Sequence, residues 1–303
     1  MIIRTDSLTK TYGSREAVRA LNLEVPEGAA LALIGANGAG KTTTIRMLMN
    51  ILRPDKGSAQ VLGTDSRKLS AAEFQRIGYV SENQRMPERL TIAGFFNYLR
   101  PLYPKWDRAL EDSLRTSLDL PSDRRIGQLS HGMRMKVALA SAMPFHPELL
   151  VLDEPLSGVD ALVRDEFMAG MLSQAGEMTV LISSHDLADI EGSATHVAFM
   201  DRGQLLFQET MEALTGRFRA VSVTRDNNPA DGISPLRDAN SWLEAKASGH
   251  VFSFVESRFS NEGKLRGDIS ARLGEPRAVD VRPMSLRAIS TALMRNARLD
   301  AAK

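Results

Sequence analysis

Cysteine is absent from the 303 residues, so the chain holds no disulfide frame, no zinc-thiolate site and no thiol nucleophile. Net charge is almost absent too: 38 Lys and Arg stand against 37 Asp and Glu, a formal +1. So balanced a chain gives no electrostatic case for nucleic acid as the main partner, because such binders carry a clear basic excess. Long apolar runs are also missing. Runs such as Leu31 to Ile34 and Leu149 to Leu152 fall far short of the about 18 consecutive apolar residues that cross a bilayer. The segment Met1-Ile2-Ile3-Arg4-Thr5-Asp6 has no basic stretch, apolar core or small-residue cleavage site and does not read as a secretory leader. These absences fit the cytosol. What remains is an ordinary globular composition, 43% hydrophobic and 25% charged, with length for about two domains.

From Ile2 to Phe207 short apolar runs alternate with helical patterns, the cadence of an α/β domain. Val18, Ala20, Leu21, Leu23 and Val25 read as a partly buried strand, and Pro26-Glu27-Gly28 turns the chain into a buried strand, Ala29 to Ile34. Leu149 to Leu152 and Val180 to Ser183 read as further buried strands. Such short runs, apolar on both faces, suit a mainly parallel sheet. Ser70-Ala71-Ala72-Glu73 is a capping box, and Leu110, Leu114 and Leu118 recur at helical spacing. Nothing between Thr91 and Leu120 looks like a strand, which predicts a helical insertion over about 84–148. After Gly216 the texture turns polar around Arg225 to Pro235. A strand-like Val251 to Val255 and a helix over about Ser285 to Leu299 follow. The expected organisation is an α/β domain over 1–215 and a small α+β domain over 216–303.

Gly35-Ala36-Asn37-Gly38-Ala39-Gly40-Lys41-Thr42 fits G-x-x-x-x-G-K-[ST] and lies between a buried strand and the helix-prone Thr42 to Leu52. The glycines let successive backbone N–H groups turn onto a phosphate chain, and the helix N-terminus adds unpaired donors. Lys41 is placed for the β and γ phosphates, and the Thr42 hydroxyl for Mg²⁺. This pattern points to a P-loop nucleotide hydrolase. No Asn-Lys-x-Asp run occurs, which disfavours guanine.

A second metal ligand belongs at the end of a buried strand, and Leu149-Leu150-Val151-Leu152-Asp153-Glu154-Pro155 supplies it. Asp153 reads as the Mg²⁺ ligand and Glu154 as general base for the attacking water.

Leu129-Ser130-His131-Gly132-Met133 precedes a helix-like Arg134 to Met143 just upstream of that strand. It resembles the LSGGQ signature of ATP-binding cassette (ABC) proteins, with His131 in place of glycine and Met133 in place of glutamine. In that family the motif caps the γ-phosphate held by a second subunit, which assigns Ser130 and Gly132 to nucleotide contact. Other matches come in the family's order. Ser157-Gly158-Val159-Asp160 resembles the D-loop, His185 the switch histidine that senses γ-phosphate, and Tyr12 the aromatic that stacks on adenine. Gly35, Asn37, Gly38, Ala39, Gly40, Lys41, Thr42 and Thr43 fall on the nucleotide-binding loop. The family's Ile-Gly-Tyr-Val-Pro-Gln is Ile77-Gly78-Tyr79-Val80-Ser81-Glu82 here. Direct register puts Glu82 at the Q-loop position, beside the metal, while a two-residue slip restores Gln84.

The resemblance covers about residues 1–215. It implies ATP and Mg²⁺ as ligands, ATP hydrolysis, and a head-to-tail homodimer or heterodimer of cassettes that buries two nucleotides. In transporters of the family such a dimer drives a transmembrane permease docked beside the helical insertion, where Phe95, Phe96, Tyr98, Leu99, Leu102, Tyr103 and Trp106 cluster. Most of these rings are expected to pack the insertion, with one or two left for docking. Tyr103-Pro104-Lys105-Trp106-Asp107 and the Ser-His-Gly-Met variant are similar to bacterial exporter ATPases of the drug and antibiotic resistance branch. Two other readings stay open: a soluble ABC ATPase acting on ribosomes or DNA, and a non-catalytic ATP-gated regulator.

Overall fold

The computed structural model describes residues 1–172, 178–186, 190, 192–225 and 241–300. It divides into two compact units, Met1–Gln208 and Glu209–Lys303.

The first unit opens with an antiparallel sheet. Strand β1 (Ile3–Tyr12) pairs with β2 (Arg15–Leu21), β3 (Glu24–Val25) and β5 (Lys56–Val61), and β6 (Thr64–Asp65) pairs with β5. The run from Val18 to Val25, expected as one strand, is broken: β2 stops at Leu21, and Ala20 takes a left-handed φ of 43°. The apolar spacing explains the break, since Val18 and Leu21 are an odd number of residues apart and strict alternation would send one of them outward. Val18, Leu21, Leu23 and Val25 are all fully buried.

Behind it lies a six-stranded sheet in the order β11 (Gln204–Thr210), β10 (His196–Asp201), β4 (Ala30–Ile34), β9 (Thr179–Ser184), β8 (Leu149–Asp153), β7 (Ile77–Ser81). From β10 to β7 every neighbour is parallel. The central strands are buried along their whole length, as their unbroken apolar runs require. Each Leu, Ile or Val withdrawn from water there contributes about 1.5–3 kcal/mol. Register sets Ile34 opposite Ser184 and Asp153 opposite Ser183 and Ser81. The carboxyl ends of four strands therefore finish level along one edge, the place where open parallel sheets collect their ligands.

Helix α1 (Lys41–Leu48) follows β4, and α2 (Ala71–Phe74) begins with the capping box Ser70 and Glu73. Between β7 and β8 the chain makes only helices: α3 (Ile92–Leu99), α4 (Arg108–Ser117) and α5 (His131–Ala142). Phe95, Phe96, Leu114 and Leu118 pack its interior, and Tyr103 stacks on Phe145 with ring centroids 4.0 Å apart. Tyr98 and Leu102 stay exposed. The leucine stripe of α4 shares its buried face with Glu111, which receives Arg100 at 2.6 and 2.8 Å and the Trp106 indole at 2.9 Å. Burial pushes the Glu111 carboxyl up, but those hydrogen bonds and the charges of Arg100 and Arg115 outweigh it and hold it below the usual range. Helix α6 (Ala161–Leu172) follows β8.

The second unit holds α7 (Met211–Arg217) and an antiparallel sheet ordered β13 (Trp242–Ser248), β14 (Val251–Glu256), β12 (Arg219–Thr224), β15 (Ala278–Pro283). Helix α8 (Glu262–Leu273) lays Leu265, Ile269 and Leu273 on Val221, Val223, Phe252 and Phe254 of one sheet face. Helix α9 (Leu286–Asp300) ends the described chain. Most of the polar stretch around Arg225 to Pro235 lies outside the described residues.

Candidate functional site

Strand β4 delivers the chain into the glycine loop, and α1 begins at Lys41. Gly40 precedes the helix with φ 105°, and no side chain caps the first turn of α1. A Cβ on Gly40 would stand 2.5 Å from the Ala17 carbonyl, and one on Gly35 would stand 2.3 Å from the Met200 carbonyl. Only glycine fits either place, one for its left-handed backbone and both for close approach. The result is a helix start whose amides have no protein partner from the side chains, as an anion site needs.

A cavity of about 470 Å³ opens over this loop. Residues 37–43 form its floor, Glu82, Glu154 and Ser157 stand across from them, and Tyr12 and Arg15 line it from the β1–β2 hairpin. Tyr12 is half exposed, with the Lys10 ammonium 5.9 Å from the centre of its ring. Lys41 is buried, with its Nζ 2.6 Å from the Gly35 carbonyl, 3.3 Å from the Ala36 carbonyl and 2.9 Å from Glu154 Oε1. The other carboxylate oxygen of Glu154 lies 3.0 Å from His185 Nδ1.

One residue earlier, Asp153 Oδ1 accepts from Thr42 Oγ1 at 3.0 Å and from Ser183 Oγ at 2.8 Å. Burial pushes the Asp153 carboxyl above its ordinary range against the lowering effect of those two hydroxyls, with the neighbouring Glu154 charge adding to the rise. Ser183 Oγ also accepts from the Glu154 amide at 2.9 Å. That bond holds Glu154 in the left-handed region, φ 50°, a conformation worth about 1–3 kcal/mol of strain for a non-glycine residue. Among the described residues no cluster of three or more acidic, His or Cys side chains could cage a metal. The Thr42 and Asp153 pair fits Mg²⁺ all the same, since this ion is usually held by one or two protein oxygens together with substrate phosphates.

Glu82 stands over the cavity, its amide donating to the Asp153 carbonyl at 2.9 Å. Gln84 lines a neighbouring cavity of about 430 Å³, and its Oε1 accepts from the Ser81 amide at 3.3 Å. Ser130 and Gly132 do not line the cavity of their own chain; Ser130 caps α5, its Oγ accepting from the Met133 amide at 3.2 Å. Gly35 contributes its carbonyl from below. The sequence reading missed Ser183 and Arg15. Ser183 carries a legible signal, a polar residue inside a fully buried strand. Arg15, whose Nη2 donates to the Gly38 carbonyl at 3.3 Å, carries none.

Residues 18–157 match the family described as ABC transporter. The chain is 35% identical over 227 residues to the bacitracin transport ATP-binding protein BcrA of Bacillus licheniformis, covering 72% of each. The chain belongs to the ABC transporter family. This ABC cassette is also 34% identical over 233 residues to the daunorubicin resistance ATP-binding protein DrrA3 of Streptomyces coeruleorubidus, covering 74% of each. In fold it resembles a dimeric bacterial ABC transporter cassette, with TM-score 0.62 and 21% identity over 69% of this chain and 98% of that one. The family is one of ATP-hydrolysing cassettes that dimerise and work with transmembrane components. No helix among the described residues of this cassette is long and apolar enough to cross a membrane.

Proposed function

We propose that this cassette is the ATP-hydrolysing subunit of a bacterial exporter, peripheral on the cytoplasmic face of the inner membrane, that powers a separate permease. The observation that carries the reading is the convergence of Lys41, Glu154 and His185 beside the Thr42 and Asp153 pair at level strand ends. Similarity to BcrA and DrrA3 favours export of a small molecule over import.

Lys41 exchanges Glu154 for the β and γ phosphates of ATP, and the carboxylate it leaves becomes free to take a proton from the attacking water. His185, on the second oxygen of Glu154, keeps that carboxylate aimed and meets the γ-phosphate. Thr42 and Asp153 would hold Mg²⁺, with Glu82 next to it, and the ion would neutralise charge on the transferred phosphoryl group. Tyr12 stacks on the adenine, and the amides of residues 37–43 cradle the phosphates. Ser130 and Gly132 serve the site of a second cassette, so ATP binding drives closure because the closed pair binds it better. Tyr98 and Leu102 are exposed on the helical insertion and supply the permease contact. The second unit, Glu209–Lys303, forms an accessory domain.

Purification from detergent-solubilised membranes tests the reading. A polytopic membrane protein is expected to come with the cassette, together with Mg²⁺-dependent phosphate release. Turnover stimulated by nucleic acid with no membrane partner would favour the soluble alternative, and absence of turnover the regulator.

A further inference from the structure

His131 departs from the family pattern, where glycine stands, and the nucleotide site makes no use of its ring. It opens α5, and its Nε2 lies 3.1 Å from the Ser157 carbonyl in the D-loop. A carbonyl only accepts, so the imidazole N–H donates. The Ser157 amide in turn donates to the Glu154 carbonyl at 3.2 Å, and the Glu154 amide to Ser183 Oγ at 2.9 Å. An unbroken hydrogen-bonded line thus runs from the first residue of the signature helix to the strand end that carries Glu154.

Two further contacts fasten α5 to α6, the helix that follows the D-loop. A Cβ on Gly132 would stand 3.2 Å from Val163 Cγ1, so α5 and α6 approach closely at that turn. Next along α5, the nearly buried Lys136 forms an ion pair with Glu166 of α6. Positions 132 and 136 lie on one face of α5, as 163 and 166 do on α6. Of the three ties, His131 is the one at the loops, between Ser130, proposed above to serve a second cassette, and Ser157, which lines this chain's own cavity. A glycine has no side chain to span that gap.

We propose that His131 is a positioning residue that ties the signature loop to the D-loop of its own chain, so that engagement of a second cassette's nucleotide by Ser130 and Gly132 sets the placement of Glu154. The consequence for hydrolysis rests on the cassette reading above; the tie itself does not.

The cysteine-free sequence makes the test clean. A spin label is placed on Leu162→Cys, a residue 69% exposed at the start of α6, and its mobility is read without nucleotide in the parent, His131→Ala and His131→Gln chains. Loss of one neutral hydrogen bond is expected to raise the mobile population about three- to tenfold in the Ala variant, and Gln, which keeps an N–H donor, is expected to restore it. In unlabelled chains, Ala lowers kcat by a similar factor while ATP affinity of the separate cassette is unchanged. Parent-like mobility in His131→Ala, or a Gln variant as mobile as Ala, would overturn the tie; unchanged kcat alongside raised mobility would overturn its role in placing Glu154. A parent chain that released no phosphate while its label still responded to His131→Ala would leave the tie standing and defeat the hydrolytic reading instead.

Discussion

The central strands of the parallel sheet are buried on both faces, whereas the antiparallel sheet of the second unit covers one face with α8, and the two sheets also treat charge differently. At the ends of β4, β8 and β9 a lysine, an aspartate and a glutamate are drawn together out of water, and one of them is held in a strained backbone. In the second unit the buried Glu256 is satisfied locally, accepting from the Arg258 amide at 2.6 Å and from Ser241 Oγ at 3.2 Å. Strand direction makes the difference. Parallel strands finish together and pool the residues that follow them, whereas antiparallel neighbours finish at opposite ends and leave each polar group to its own loop.

If that contrast holds, changes at the level edge alter chemistry and spare stability, and changes elsewhere do the reverse. Glu154→Gln is expected to cut phosphate release by about 10²- to 10⁴-fold, the range for loss of a general base, while ATP binding persists and dimer accumulates on size exclusion. Turnover near the parent rate would remove Glu154 from that role. Glu111→Ala strands Arg100 inside the helical insertion and should cost about 3–5 kcal/mol in denaturant unfolding. Because the folded Glu111 carboxyl is held below its ordinary range, its contribution is full at neutral pH and is lost as acid protonates it below that range. Glu111→Gln therefore flattens the acid limb of the stability curve.

Ile269→Ala opens a cavity beneath the second sheet and should destabilise that unit by about 2–5 kcal/mol, with phosphate release per folded molecule unchanged. A fall in turnover at constant folded fraction would break the division between the two regions. Tyr12→Ala should weaken ATP binding by about 1–3 kcal/mol in equilibrium titration, and Tyr12→Phe should not, because only the ring face is used.

The parallel strands and the phosphate loop were legible because each is written in consecutive residues: an apolar run ending in polar ones, and a fixed glycine spacing. Strand Leu149–Asp153 and helix Leu286–Asp300 fall within a residue or so of their expected limits. The left-handed turn at Ala20 was hidden because the buried Val18, Leu21, Leu23 and Val25 lie on either side of it while Ala20 itself is exposed, so a run of apolar letters gives no sign of the change. Glu111 was hidden because a charged residue on a leucine stripe reads as a flaw until Arg100 and Trp106, distant in pattern, are seen to meet it. The hook of Ser183 under Glu154 needed the lateral register of β8 and β9, which no single segment encodes. For Glu82 and Gln84 the sequence left two registers open; beyond the strand end at Ser81, Glu82 lines both the cavity over the glycine loop and its neighbour, and Gln84 lines the neighbour.

The contact of Lys41 with Glu154 gives the proposed chemistry a built-in interlock. On that proposal, phosphates that draw the ammonium to themselves release the carboxylate in the same movement, so loading the fuel and cocking the trigger are one event.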